Sequence, residues 1–238
     1  MIQLYDFSIG YPQRPLISEA NATIGRATLT ALIGRNGSGK STLLRAIAGL
    51  NTHYSGRIML DGKDIASLSA PMMARLVAFV STKSIRVPNL RCEDLVAMGR
   101  APYTNWIGRM QPADKEIVDR SLRLVGMADY ASRTLDTMSD GECQRIMIAR
   151  ALAQDTPIVL LDEPTSFLDL PNRYELCNLL ARLAHQEGKT ILFSTHELDI
   201  ALKMADCIAL VHDQTLEVAP TADLRATGRI HNIFRLDQ

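Results

Sequence analysis

The sequence predicts an α/β fold: a mostly parallel core sheet, antiparallel strands near the N-terminus and an inserted helical segment. Three observations carry that expectation. Apolar residues 29–33 run through a glycine-rich loop into a helix. A second apolar strand, Ile158–Leu161, ends in two carboxylates, Asp162 and Glu163. Beyond Pro157, apolar strands alternate with helices, the pattern of βα units whose sheet is covered on both faces.

Taken in order, residues 2–11, 22–24 and 29–33 read as strands, punctuated by Gly10, Pro12, Pro15 and Gly25. A helix over 41–50 stops at Gly49 and Asn51. Strands at 57–60 and 76–80 follow, with an Asp61-Gly62 turn after the first. From 83 to 155 strand signals vanish and apolar residues recur at helical spacing, as in Ile117, Val118, Leu122 and Val125. Strands then return at Ile158–Leu161, Thr190–Ser194 and 207–211, with helices at 171–184 and Leu198–Met204 between them. The expected division is a core of 1–82 and 156–238 and a helical lobe of 83–155.

The 238 residues suffice for one sizeable core. With 26 basic against 26 acidic side chains, no electrostatic case exists for a nucleic-acid partner. No apolar run approaches the roughly 20 residues of a spanning helix, and Asp6 is out of place in a signal peptide. Cys92, Cys143, Cys177 and Cys207 make no C-x-x-C pair, so buried, reduced thiols of a cytoplasmic protein are expected.

Gly34-Arg35-Asn36-Gly37-Ser38-Gly39-Lys40-Ser41, followed by Thr42, matches G-x-x-x-x-G-K-[S/T] between strand and helix. Glycines let backbone N–H groups wrap a phosphate, and the helix N-terminus adds a favourable dipole. Lys40 would reach the β- and γ-phosphates and Ser41 a Mg²⁺ ion. A parallel strand delivers its C-terminal end to the ligand crevice, so Asp162 would hold the metal through water and Glu163 would polarise the attacking water. Alone, the loop fits a small-molecule kinase equally well.

Met138-Ser139-Asp140-Gly141-Glu142-Cys143-Gln144-Arg145 resembles the signature of ATP-binding-cassette (ABC) ATPases, and the resemblance covers essentially the whole chain. It implies a P-loop NTPase of the ABC cassette type that uses ATP and Mg²⁺. It also implies a head-to-tail homodimer in which Ser139 and Gly141 face the γ-phosphate of the opposite copy. Read without the family, Ser139 and Glu142 form a capping box for a helix over 142–153. The resemblance further gives Tyr11 as an adenine-stacking ring and Ser166-Phe167-Leu168-Asp169 as the loop crossing the dimer seam. It makes His196 the switch residue that orients Glu163. The plainer alternatives are packing at a strand end for Tyr11, with stacking favoured, and a helix cap for Asp169.

Three positions depart from the family, Thr82, Asp140 and, more mildly, Glu142 in place of glutamine. Thr82 stands where a glutamine usually binds metal or water, and its hydroxyl has a shorter reach. Asp140 replaces a glycine, so its side chain should point away from a phosphate. The segment Leu95-Val96-Ala97-Met98-Gly99-Arg100-Ala101-Pro102-Tyr103, with Trp106, looks like that of ATPases serving iron-siderophore, haem and cobalamin importers. That likeness implies permease partners in the membrane, docked on about 83–109, with Tyr103 and Trp106 either anchors for them or, equally, core packing of the lobe. It also implies an indirect substrate-binding protein and a place at the cytoplasmic face of the membrane. The alternatives are a soluble non-transport ABC ATPase and, from Thr82 and Asp140, a nucleotide-gated scaffold with weak hydrolysis.

Overall fold

A hairpin of long, irregular strands begins the chain. In this computed structural model, which describes residues 1–82, 87–104, 108–166 and 168–234, β1 (Ile2–Tyr11) pairs antiparallel with β2 (Arg14–Ile24). β2 is much longer than the expected 22–24. Three register shifts along the pair break the period-2 pattern that would have revealed it. Pro15 is tolerated because β2 is an edge strand.

Next come β3 (Leu29–Gly34) and α1 (Lys40–Ile47), then β4 (Tyr54–Leu60) and the short β5 (Lys63–Asp64). A four-stranded sheet forms in the order β2-β1-β4-β5. After α2 (Ala70–Ala74) and β6 (Val77–Val80), the helices α3 (Cys92–Ala97), α4 (Pro112–Leu124) and α5 (Asp140–Ala153) pack on one another. The remainder is β7 (Ile158–Leu161), α6 (Leu170–His185), β8 (Thr190–Ser194), α7 (Leu198–Met204), β9 (Cys207–His212), β10 (Thr215–Pro220), α8 (Thr221–Ala226) and α9 (Arg229–Phe234).

The second sheet runs β10-β9-β3-β8-β7-β6, parallel from β9 to β6 and closed by antiparallel β10. β10 escaped the sequence reading. Its hairpin turns on Asp213 and Gln214, both left-handed (φ 44° and 63°), without the Asn-Gly or Asp-Gly pair that usually marks such a turn.

Alternation along the parallel strands sorts their side chains into two cores. Leu29, Ala31, Ile33, Val159, Leu161, Ile191 and Phe193 join α5, α6 and the helical segment on one face. Leu32, Ile158, Leu160, Leu192 and Val211 join α1 and the N-terminal sheet on the other. Each fully buried aliphatic side chain contributes roughly 1.5–3 kcal/mol, so the strand ends sit on the most firmly held part of the molecule.

The Gly-Arg-x-Pro segment has internal work. A Cβ at Gly99 would strike the Arg150 carbonyl of α5. Buried Arg100 donates to Asp114 (2.9 Å) and to the Ala153 carbonyl (2.9 Å). Tyr103 is half-buried between two guanidiniums, Arg100 at 4.1 Å and Arg75 at 5.2 Å from its ring centre. Tyr103 is thus engaged within the lobe, and Trp106 lies outside the described residues. An apolar cleft of about 910 Å³ opens beside this region, lined by Leu50, Met73, Val77, Phe79, Arg150 and Gln154 rather than by 87–104. All four cysteines are free, and Cys92, Cys143 and Cys177 are buried. Burial pushes the Cys177 thiol up to about 12. Cys207 is only partly buried, against expectation, because it begins β9 at the sheet's edge of entry.

Candidate functional site

The ends of three parallel strands meet the start of α1. β3 delivers the glycine loop, which turns into α1 through Gly39 at φ 105°. Any Cβ there would meet Leu16, so glycine is required on both conformational and steric grounds. Lys40 is buried, and its ammonium donates to the loop carbonyls of Gly34 (2.8 Å) and Arg35 (3.3 Å). Burial lowers its pKa, while the charges of Glu163 and Asp162 pull it back up. A cleft of about 350 Å³ follows, lined by Tyr11, Asn36, Lys40, Ser41, Thr42 and Glu163 among others. Gly37 and Gly39 line it as well, whereas Arg35 and Ser38 face a neighbouring hollow behind the loop.

Register brings the acids in. β7 pairs with β8 through Leu161 opposite Phe193, so the next residues, Asp162 and Ser194, come side by side. Asp162 accepts hydrogen bonds from the hydroxyls of Ser194 (2.8 Å) and Ser41 (2.8 Å) through one carboxylate oxygen. Glu163 stands in the left-handed region at φ 47°, a costly conformation for a residue other than glycine. Its carboxylate lies 3.9 Å from Nδ1 of His196, whose ring is half exposed on the turn after β8.

Ser41 and Asp162 offer two oxygens in contact at the phosphate loop, the donor chemistry of a hard cation such as Mg²⁺. Among the described residues no cluster of three or more His, Cys, Asp or Glu could hold a metal by itself. A partial shell of this kind suits Mg²⁺, which keeps waters and binds substrate phosphate as well.

Ser139 caps α5 in a full capping box. The Glu142 amide donates to its hydroxyl (3.3 Å), while its own amide and hydroxyl donate to the Glu142 carboxylate (2.8 Å each). Those two bonds hold the Glu142 carboxyl below the usual range. Ser139 and Asp140 are exposed, and neither Ser139 nor Gly141 lines the phosphate cleft. Asp169 accepts from the Asn172 amide (3.1 Å) and so caps α6. Phe167 lies outside the described residues.

Several participants had no sequence signal. Arg14 and Leu16 line the cleft because the β1–β2 hairpin folds over the glycine loop. Ser194 opens the Ser194-Thr195-His196 run, but its contact with Asp162 is legible only once the β7–β8 register is known. Arg173 bridges the Leu168 carbonyl (2.7 Å) and Glu197 (3.1 Å), while Thr165 also donates to Glu197 (3.2 Å). The loop before α6 is thereby tied to the turn that carries His196.

A family model described as ABC transporter matches residues 17–166. The achromobactin transport ATP-binding protein CbrD of Dickeya dadantii is 37% identical over 234 residues, spanning 98% of this chain and 87% of that protein. The probable siderophore transport system ATP-binding protein YusV of Bacillus subtilis is 36% identical over 236 residues, spanning 97% and 84%. Among solved structures, an inward-facing putative metal-chelate type ABC transporter superposes with TM-score 0.85 at 26% identity, over 98% of this chain and 88% of that one.

Proposed function

The chain belongs to the ABC transporter family of ATP-binding proteins, and we propose that it is the ATP-hydrolysing subunit of an importer of metal chelates such as iron-siderophores. The carrying observation is a single cleft edged by Lys40, Ser41 and Glu163, with Asp162 bonded to Ser41 and His196 beside Glu163. Residues 1–82 and 156–238 form the nucleotide-binding core in this reading, and 83–155 the inserted lobe.

The loop amides and Lys40 hold the triphosphate. On arrival of ATP, Lys40 exchanges the Gly34 and Arg35 carbonyls for phosphate oxygens. Tyr11, which is 65% exposed at the cleft's edge, stacks on the base. Ser41 and Asp162 would hold Mg²⁺, which would supply neutralisation of the triphosphate's negative charge. A water oxygen attacks the γ-phosphorus, its proton passes to Glu163, and the bond to the β–γ bridging oxygen breaks, leaving ADP and phosphate. His196 orients the Glu163 carboxylate for that transfer.

Ser139 and Gly141 are outside the cleft of their own chain, in keeping with the role that the family resemblance implies, action on the nucleotide of a second copy in an ATP-sandwiched homodimer. Membrane permease subunits convert its closing and opening into transport. A substrate-binding protein delivers the solute outside, and the ATPase sits on the cytoplasmic face. No helix among the described residues is long and apolar enough to cross a membrane, so attachment runs through the permease. The apolar cleft near Phe79 is the natural seat for it. Purified wild-type protein is expected to release phosphate from Mg-ATP, and Glu163→Gln to lose at least about 100-fold in turnover. Isolation from membranes should bring integral subunits along. Recovery on ribosomes or DNA, or equal turnover in Glu163→Gln, defeats this reading.

A further inference from the structure

Glu163 can act only if its left-handed backbone is held, and the geometry points to Thr82 as one jaw of the clamp that holds it. We infer that Thr82 is a positioning residue for hydrolysis, fixing the peptide between Asp162 and Glu163 rather than binding metal. The inference rests on the hydrolytic reading above and concerns the one core position where this chain lacks the family's glutamine.

That peptide has two hydrogen-bonding groups, and each is gripped by a hydroxyl from a different strand end. The Thr82 hydroxyl, two residues beyond β6, donates to the Asp162 carbonyl at 3.0 Å. On the other side the Glu163 amide donates to the hydroxyl of Ser194, the last residue of β8, at 2.8 Å. Ser194 in turn donates to the Asp162 carboxylate, so its hydroxyl is oriented before it accepts. With both ends pinned, the peptide plane cannot rotate, and φ 47° at Glu163 persists although an extended conformation is intrinsically cheaper. The plane sets the direction in which the Glu163 side chain leaves the backbone, and hence where its carboxylate meets a water in the cleft. Half-buried Thr82 has a short side chain that is committed to the backbone, which is why it makes a poor metal ligand and a good clamp.

The test compares Thr82→Val, which keeps the shape and removes the hydroxyl, with Thr82→Ser, which keeps the hydroxyl. Phosphate release by the purified full chain is followed while Mg-ATP and then free Mg²⁺ are varied. The expected result for Thr82→Val is a kcat about tenfold lower, with KM for ATP and half-saturating Mg²⁺ within about twofold of wild type, since losing one positioning hydrogen bond costs on that order. Thr82→Ser should recover most of kcat. An unchanged kcat in Thr82→Val overturns the clamp, as does a rise in half-saturating Mg²⁺ large enough to account for the loss. Weakened ATP binding in that variant, or failure of Thr82→Ser to rescue, overturns it too. Absence of turnover in the wild type is a different result: it removes the hydrolytic reading and the clamp with it.

Discussion

The two halves of the nucleotide chemistry are built to different standards. The half around Lys40, Asp162 and Glu163 stands on the ends of β3, β7 and β8, whose side chains are buried on both faces of the sheet. Its polar groups cross-bond: Ser41 and Ser194 meet on Asp162, and Lys40 fills the loop by donating to its carbonyls. The half around Ser139 stands on an exposed helix N-terminus whose capping residue, among the described residues, bonds within its own turn. Preorganisation belongs to the first half, and the second awaits a partner to give it a ligand. In the proposed mechanism the cleft assembled on a rigid sheet binds nucleotide alone, while the exposed helix end contributes only after two copies approach.

Substitutions on the two sides should therefore separate binding from closure. Lys40→Ala carries the largest effect: ATP affinity of the isolated subunit should fall at least about 100-fold, because a buried charge-assisted contact to phosphate is lost. Equilibrium titration with a fluorescent ATP analogue reads this directly, and near-normal affinity would merge the two halves. Ser139→Ala should leave that affinity within about twofold while lowering turnover roughly tenfold, the worth of one hydrogen bond to a charged group. An equal loss in single-subunit binding would place Ser139 on its own chain's nucleotide and end the comparison.

Glu142→Gln sharpens the contrast with the smallest change. The Glu142 carboxylate accepts a hydrogen bond from the Ser139 hydroxyl and, in the proposed dimer, brings negative charge beside the opposite copy's phosphate. A neutral amide should tighten ATP-driven dimerisation about threefold, measured by sedimentation in a Glu163→Gln background, in line with an exposed charge interaction. The same pair carries a pH signature. Its carboxyl titrates below the ordinary range when folded. Its contribution, about 1 kcal/mol for a helix cap, is therefore present above pH ~4.3 and is lost as pH falls through the lowered folded value. Wild type and Glu142→Gln should then converge in thermal stability once the pH falls below that lowered titration, and a gap that widens on acidification would contradict the assignment.

Local chemistry by itself determined much of this protein. The glycine loop, the apolar strand ending in two acids and the Ser139–Glu142 cap are specified by residues within eight positions of one another, so their geometry follows from chain stereochemistry. The parallel sheet followed as well, because strands buried on both faces must be apolar throughout. What only the tertiary structure decided depends on residues far apart in sequence. Thr82 and Ser194 reach Asp162 and Glu163 across 80 and 31 positions, and Arg14 reaches the loop across 23. Register, not composition, makes those neighbours. The length of β2 and the β9–β10 hairpin stayed hidden for a related reason: bulges and a turn of unusual residues erase the periodicity from which strands are read.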